Sequence, residues 1–270
     1  MGRDAEAYMP REMVLRVLAR AEDDVVLVGG QALAFWMDHY DVRQPGDLPA
    51  ISRDVDFFTR SAANSGPLDR FAAAINGRAY KEKPESLTAL IGSAVAPAAD
   101  DRVYNVDLLH TVFGFTREQV DSNAVPVAIP GTGKSIRVMH PLHVLQSRNA
   151  NLHGLAEKQD ELGRLQFRLA IEVARKFLEE RLDQIGHAGG TSRKSEREAL
   201  NLVGAVIDYS TQDAAKRNAE RYGIFLADAI PAWRIESVSF WDKQWPYLQQ
   251  RMSPGYAQAC ERRRMPGGRK

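Results

Sequence analysis

The sequence predicts an α/β (α+β) fold, in which a mixed sheet forms the N-terminal part of the chain and helices form the C-terminal part. An apolar run from Val25 to Val28 ends in two glycines and precedes a helix-like segment at 31–40, which predicts a buried strand turning into a helix. Within 54–58, Asp54 and Asp56 alternate with Val55 and Phe57, which predicts a second, half-buried strand. Apolar residues then recur at helical spacing through 157–182, which predicts a long helix packed against a core.

Changes in composition divide the chain into four predicted segments. The sheet is expected in a first domain, 1–140, and a helical extension that packs on it is expected at 141–185, where Pro141 suits a first helical turn. Residues 186–195 are rich in Gly and Ser and contain few apolar groups, so they form the predicted linker. A C-terminal helical bundle with a basic tail is expected at 196–270.

The composition is that of an ordinary globular protein, since 44% of the 270 residues are hydrophobic. The 36 Lys and Arg side chains nearly balance the 35 Asp and Glu, which excludes a global attraction to nucleic acid or to a membrane surface. The single cysteine, Cys260, excludes an internal disulfide framework and a multi-cysteine metal site. No apolar run is long enough to span a membrane and no signal-peptide pattern is present, so we expect a cytoplasmic protein without a membrane partner.

Gly29 and Gly30 stand at the predicted junction between the first strand and its helix. The N–H groups at the start of a helix have no helical partners, and the helix dipole favours negative charge there, so this turn can bind phosphate groups. A dinucleotide-binding fingerprint is excluded, because Leu33 and Ala34 occupy the place of its third glycine. Glycine pairs also close many strand-to-helix turns that bind nothing, and that alternative stays open.

Three aspartates are predicted to meet on one face of the sheet. The alternation in the second strand sends Asp54 and Asp56 to one face and apolar side chains to the other. If 103–109 forms a strand beside the first strand, Asp107 points to the same face. Carboxylates this close repel one another, and a divalent cation such as Mg²⁺ removes the repulsion while gaining oxygen ligands. An exposed strand face without a ligand is the alternative for the first two aspartates.

Two further parts of the sequence are candidates for contacts with phosphate. Ser52 precedes the aspartate pair and is a candidate either for fixing the strand geometry or for contacting phosphate. Residues 130–135, Pro-Gly-Thr-Gly-Lys-Ser, resemble part of a phosphate-binding P-loop, but Ala128 stands where that loop needs its first glycine. A strand pattern also follows Ser135, where a P-loop needs a helix, so we predict a hairpin turn.

The order of an apolar strand, a Gly-Gly pair, a helix, an Asp-x-Asp pair and a later Asp resembles the nucleotidyltransferase superfamily that includes DNA polymerase beta and the CCA-adding enzymes. Within it, the chain is most similar to the AbiE-type (AbiEii-like) abortive-infection toxins. This resemblance implies a mixed-sheet nucleotidyltransferase core with a C-terminal helical domain, and it makes 1–140 the catalytic domain. The chain departs from the family in the 23 residues of 31–53, a longer spacing than usual, in which 41–50 is interpreted as an inserted loop.

The resemblance also implies roles for individual residues. Gly29 and Gly30 would hold nucleotide phosphates, and the three aspartates would be catalytic and bind two Mg²⁺ ions, with Mn²⁺ as a substitute. Arg148 resembles the helical basic residue that reaches the triphosphate, and Lys158 resembles the start of a downstream basic motif.

The implied reaction transfers a nucleoside monophosphate from a nucleoside triphosphate to an acceptor hydroxyl. RNA, tRNA or a protein would be the acceptor, and the chain would be the toxin of a toxin-antitoxin system with a cognate antitoxin as partner.

Two other functions fit the same residues. A nucleotidyltransferase-like fold that has lost catalysis would act as a nucleotide-sensing or protein-binding module, which the long insert before Asp54 favours. A metal-dependent phosphohydrolase would use the same carboxylates. The alternatives for the basic residues are a surface helix position for Arg148 and a solvated charge pair for Lys158. The run Arg262 to Arg264 either contacts an RNA backbone or belongs to a solvated tail.

Overall fold

The computed structural model divides into two compact units, Met1–Ser147 and Arg148–Lys270. It describes residues 5–44, 52–83, 85–129, 131–189, 193–231, 234–235, 240–253, 255–256 and 258. Among the helices in these stretches, none is long and apolar enough to cross a membrane.

The first unit is built on one mixed sheet. Its strands are β1 (Val26–Val28), β2 (Val55–Phe58), β3 (Arg78–Lys81), β4 (Leu90–Pro97), β5 (Val103–Leu109), β6 (Val125–Ala128) and β7 (Ser135–Val138). The seven strands are ordered β3-β4-β5-β2-β1-β7-β6, with β2 parallel to β5, β1 parallel to β7 and the other neighbours antiparallel. The helices that begin in this unit are α1 (Arg11–Leu18), α2 (Gly29–His39), α3 (Gly66–Ala74), α4 (Arg117–Ser122) and α5 (Pro141–Gly154). The predicted mixed α/β content is therefore confirmed.

The strand-to-helix unit at the start of the sheet forms as the sequence predicts. All three side chains of β1 are buried, as expected for a central strand that is apolar on both faces. The helix α2 begins at Gly29, two residues earlier than the predicted start at 31. Both glycines therefore lie in its first turn.

The apolar face of β2 packs against α3 and forms the centre of the core. Phe57 on β2 and Phe71 on α3 are fully buried, and their rings stack with centroids 4.4 Å apart and an interplanar angle of 17°. Aromatic pairs of this kind bury large areas and add a specific geometric preference. Packing on this face orients β2 so that Asp56 lies on the opposite face of the strand.

Two predictions about the middle of the first unit have opposite outcomes. The hairpin at 130–135 is confirmed, since β6 and β7 pair antiparallel and Gly131 and Gly133 adopt positive φ in the turn. The sequence of 94–101 is rich in Pro and Ala, which predicts a break between two strands. This prediction is wrong in its first half, because β4 continues to Pro97. Ala94 and Ala96 are buried within that strand, so tertiary packing overrides the weak strand propensity of alanine.

The second unit is helical. Its helices are α6 (Glu161–Gly189), α7 (Arg193–Ser210), α8 (Asp213–Tyr222) and α9 (Trp245–Arg251), with short 3₁₀ helices at Ala156–Lys158 and Leu226–Ala229 and a π-helical turn at Phe240–Gln244. The helices α6 and α7 contact each other, and their apolar residues, among them Phe167, Leu178, Val203 and Val206, are buried. This arrangement agrees with the predicted helical C-terminal domain.

The helices around the predicted linker are longer than the sequence indicates. Within 186–195, α6 continues to Gly189 and α7 begins at Arg193, while 190–192 lie outside the described residues. Extending an existing helix adds one hydrogen bond per residue, and each glycine costs only about 1 kcal/mol, so glycines at a helix end do not stop it. Most of the predicted insert, 45–50, and the whole basic tail, 261–270, also lie outside the described residues.

The Phe57–Phe71 stack leads to a stability prediction for the first unit. Replacing Phe71 by Ala leaves a cavity against β2 and should lower the free energy of unfolding by about 3–5 kcal/mol. The control Tyr80→Ala removes a ring that is 58% exposed on the edge strand β3, so it should change stability by at most about 0.5 kcal/mol. Urea unfolding followed by circular dichroism measures both, and equal losses would contradict this account of the core.

Candidate active site

Asp54, Asp56 and Asp107 converge on one face of the sheet. Parallel pairing of β2 with β5 places Asp56 directly opposite Asp107. Asp54 lies two residues before Asp56 and therefore on the same face. One carboxylate oxygen from each of the three lies within 4.8 Å of the other two, and all three residues are partly buried. The predicted convergence of the aspartates is therefore present, although β5 lies beside β2 and not, as predicted, beside β1.

The apolar residues between the aspartates explain why the carboxylates share a face. Val55 and Phe57 on β2 alternate with the acidic residues and are fully buried, as are Val106 and Leu108 on β5. A shift of one residue in either strand would move carboxylates into the core and apolar groups out of it. Burial of the opposite face thus determines the position of the acidic cluster.

Hydrogen bonds hold two of the three carboxylates in place. Ser52 Oγ donates to Asp54 Oδ1 at 2.7 Å. Ser93 Oγ donates to Asp107 Oδ1 at 2.5 Å, and Asn105 Nδ2 donates to the same oxygen at 3.0 Å. Each of these bonds is made to Oδ1, which leaves Oδ2 of Asp54 and Asp107 outside the three contacts. The side chains are therefore oriented before any ligand arrives.

Ser93 and Asn105 are site residues that the sequence analysis missed. Asn105 lies two residues before Asp107 on β5, so the alternation that located Asp107 contained a signal for it. Ser93 is the cross-strand partner of Asp107 on β4. That position depends on the register of β4 against β5, which includes an irregularity between Leu90 and Gly92 and has no readable signal in the sequence.

The two glycines lie directly beside the acidic cluster. A Cβ on Gly29 would come within 1.9 Å of Asp56 Oδ2, and one on Gly30 would come within 2.4 Å of Ser52 Oγ. Gly29 also has a φ of +68°, which side chains other than glycine rarely adopt. Val28, the N-cap residue of α2, has an apolar side chain and makes no capping hydrogen bond. The glycines therefore let the helix start approach the carboxylates closely.

The electrostatics of the cluster disfavour three negative charges. Burial raises the pKa of the Asp107 carboxyl; the hydrogen bond from Ser93 lowers that pKa, the charge of Asp54 raises it, and the hydrogen bond from Asn105 lowers it. Burial is the largest of these effects. A divalent cation would remove both the repulsion and the burial cost of the charges. The donor set fits such an ion, because it consists of carboxylate oxygens at a separation that one hard cation spans.

The two basic candidates belong to the second unit. Arg148 is 7% exposed on α5, and its Nη1 donates to Gln166 Oε1 at 3.2 Å. The alternative of a surface position is therefore wrong for Arg148, since packing in the second unit encloses its side chain. Lys158 ends a short 3₁₀ helix and is half-buried. The role of both residues toward phosphates stays a prediction.

The chain matches no protein-family profile, and no curated protein shows significant sequence similarity to it. The site is therefore interpreted from its geometry and chemistry.

The close approach of Gly29 to Asp56 leads to a mutational prediction. A substitution of Gly29 strains the backbone and also displaces the Asp56 carboxylate, and a matched control separates the two effects. Gly29→Ala adds a methyl group where Asp56 lies, whereas Gly133→Ala places alanine at a similar φ of +66° with nothing within 4 Å of its Cβ. Both variants should lose about 1–2 kcal/mol of stability from the left-handed backbone. Only Gly29→Ala should weaken Mn²⁺ binding, measured by electron paramagnetic resonance. Equal Mn²⁺ affinities in the two variants would contradict the proposed contact.

The raised pKa of Asp107 leads to a second prediction. The folded state binds the proton of the Asp107 carboxyl more tightly than the unfolded state does. Ionisation of Asp107 therefore lowers the free energy of unfolding as the pH rises from 3.8, the ordinary pKa, through the raised pKa of the folded state. Asp107→Asn keeps an acceptor oxygen and removes the charge. In EDTA, Asp107→Asn should therefore be more stable than the parent at pH 7, and this advantage should disappear below pH 3.8.

Urea unfolding at both pH values measures the effect, with Asp69→Asn as the control because its side chain is 68% exposed. An Asp107→Asn variant that is less stable than the parent at pH 7, or equally stabilised at both pH values, would contradict this assignment.

Proposed function

We propose that the chain is a metal-dependent nucleotidyltransferase of the DNA polymerase beta-like superfamily. In this reaction the oxygen of an acceptor hydroxyl bonds to the α-phosphorus of a nucleoside triphosphate, and the bond from that phosphorus to the pyrophosphate breaks. The observation that best supports the proposal is the convergence of three carboxylates beside a helix start that contains two glycines. Acidic side chains for metal and backbone N–H groups for phosphate are the two components that the reaction needs.

Asp54, Asp56 and Asp107 would hold the metal. Their donor atoms are all oxygens, which Mg²⁺ prefers and Mn²⁺ accepts. When bound, two Mg²⁺ ions supply Lewis-acid stabilisation of the attacking and leaving oxygens. The hydrogen bonds from Ser52, Ser93 and Asn105 keep Oδ1 of Asp54 and Asp107 in fixed positions, so these carboxylates do not have to reorient when the ion binds.

Asp107 is also the proposed acceptor of the proton from the attacking hydroxyl. Oδ2 of Asp107 takes no part in the hydrogen bonds from Ser93 and Asn105, so this oxygen is the candidate proton acceptor. Gly29 and Gly30 would present backbone N–H groups to the β- and γ-phosphates. By the family resemblance, Arg148 and Lys158 are the proposed partners of the charge that develops on the departing pyrophosphate.

By the same resemblance we propose RNA, tRNA or a protein as the acceptor, a cognate antitoxin as the partner, and the cytoplasm as the location. These assignments rest on analogy with AbiE-type toxins.

Incubation of the purified chain with each α-³²P-labelled nucleoside triphosphate, Mg²⁺ and either total RNA or total cell protein tests the proposal. Label retained on an acceptor supports transfer and identifies both the base and the acceptor class. Labelled monophosphate or diphosphate without retained label would instead assign a phosphohydrolase. Tight nucleotide binding without chemistry would assign a sensor, and either of these outcomes would overturn the proposal.

Variants of the acidic cluster give the corresponding mutational prediction. Asp54→Asn and Asp56→Asn should each reduce transfer by at least about a hundredfold, because each removes a charge that stabilises the transition state through the metal. The control Asp69→Asn makes the same change on the exposed side of α3 and should leave transfer unchanged. Activity that survives in both cluster variants would rule out this mechanism, provided that urea unfolding shows them folded.

A further inference from the structure

The second unit contains a cavity of about 380 Å³ beside the ends of two helices. Ligand pockets in proteins begin at about 300 Å³, so a phosphate-bearing molecule of mononucleotide size fits this volume. The C-terminal ends of α5 and α8 line the cavity. Its lining includes His153, Arg217, Asn218, Glu220, Arg221 and Tyr222.

Arg217 and Arg221 place two positive charges in the lining of the cavity. They lie one turn apart on α8 and so project from the same side of the helix. Within the described part of the chain, neither guanidinium has a carboxylate partner, and the hydrogen bond from Arg221 Nη1 goes to the neutral Gln159 Oε1 at 3.0 Å. Two positive charges therefore face the cavity without an ion pair. Glu220 is the acidic residue in the lining.

Two sets of contacts hold the wall of the cavity in place. Asn218 is 1% exposed, and its Nδ2 donates to the Asn149 backbone oxygen at 2.9 Å and to Asn149 Oδ1 at 2.8 Å, which fixes α8 against α5. The Tyr222 ring lies under two guanidinium groups, those of Arg221 at 5.3 Å and Arg164 at 5.8 Å. A third positive group therefore lies next to the cavity.

We propose that this cavity binds a phosphate group, either as inorganic phosphate or as the phosphate of a nucleotide. The planar guanidinium fork matches phosphate oxygens with two parallel hydrogen bonds, and two such forks one turn apart can contact one phosphate from adjacent sides. The site is separate in sequence and in chemistry from the acidic cluster, so it does not depend on the proposed transfer reaction.

The two arginines should contribute unequally. Arg221 lies in the last turn of α8, where its charge is partly offset by the negative end of the helix dipole, and it already donates to Gln159. Arg217 lies one turn earlier and has neither constraint. Loss of Arg217 should therefore weaken phosphate binding more than loss of Arg221.

The test is a nuclear magnetic resonance titration of the full chain in EDTA, with inorganic phosphate in one arm and adenosine monophosphate in the other. Both probes should shift the amide signals of 217–222 in a saturable manner, and tighter binding of adenosine monophosphate would identify a nucleotide site. Arg217→Gln should weaken binding by about tenfold, while Arg197→Gln, an exposed arginine of α7 outside the lining, should leave it unchanged. Asp56→Asn should also leave it unchanged, which separates this site from the acidic cluster.

Glu220→Gln should change phosphate affinity in the opposite direction to Arg217→Gln. A purely structural role of Glu220 would not produce tighter binding. Its carboxylate repels a phosphate, so removing the charge should tighten binding severalfold. Absence of saturable shifts up to about 10 mM phosphate would overturn the proposal. Equal weakening in Arg217→Gln and Arg197→Gln, or weaker binding in Glu220→Gln, would overturn it as well.

Discussion

The parallel pairing of β2 with β5 sets Asp56 opposite Asp107. The repulsion between the carboxylates that this pairing brings together explains the chemistry of the site. Three carboxylates with oxygens within 4.8 Å of one another are unfavourable as anions, and burial raises the pKa of Asp107. A fold selected for stability alone would place apolar or amide groups there. The arrangement is typical of a site whose energetic cost is recovered when a cation binds.

The remaining features of the first unit maintain this unfavourable cluster. The stacked rings of Phe57 and Phe71 fix β2 from behind, and the hydroxyl and amide groups of Ser52, Ser93 and Asn105 fix two carboxylates from the side. Gly29 lets the start of α2 approach the carboxylates closely, because any larger residue at this position would displace Asp56. The favourable packing of Phe57 and Phe71 on one face of the sheet thus offsets the repulsion between the carboxylates on the other face.

The convergence of the aspartates could be predicted from the sequence because it follows from local rules. Period-two alternation assigns Asp54, Asp56 and Asp107 to one face once the two strands are neighbours, and the apolar run before Gly29 predicts the strand-to-helix turn. Ser93 could not be predicted, because its position depends on the register between β4 and β5. The extent of β4 and the end of α6 were missed for a related reason, since packing and helix propagation override the residue preferences of alanine and glycine.

The central claim is that Asp54, Asp56 and Asp107 bind divalent cations together. A crystal grown with Mn²⁺ and a non-hydrolysable nucleoside triphosphate, and measured near the manganese absorption edge, tests this claim most directly. The account predicts an anomalous peak bonded to oxygens of all three carboxylates, with the phosphates against the first turn of α2. Manganese bound elsewhere, or bound by fewer than two of these aspartates, would contradict it.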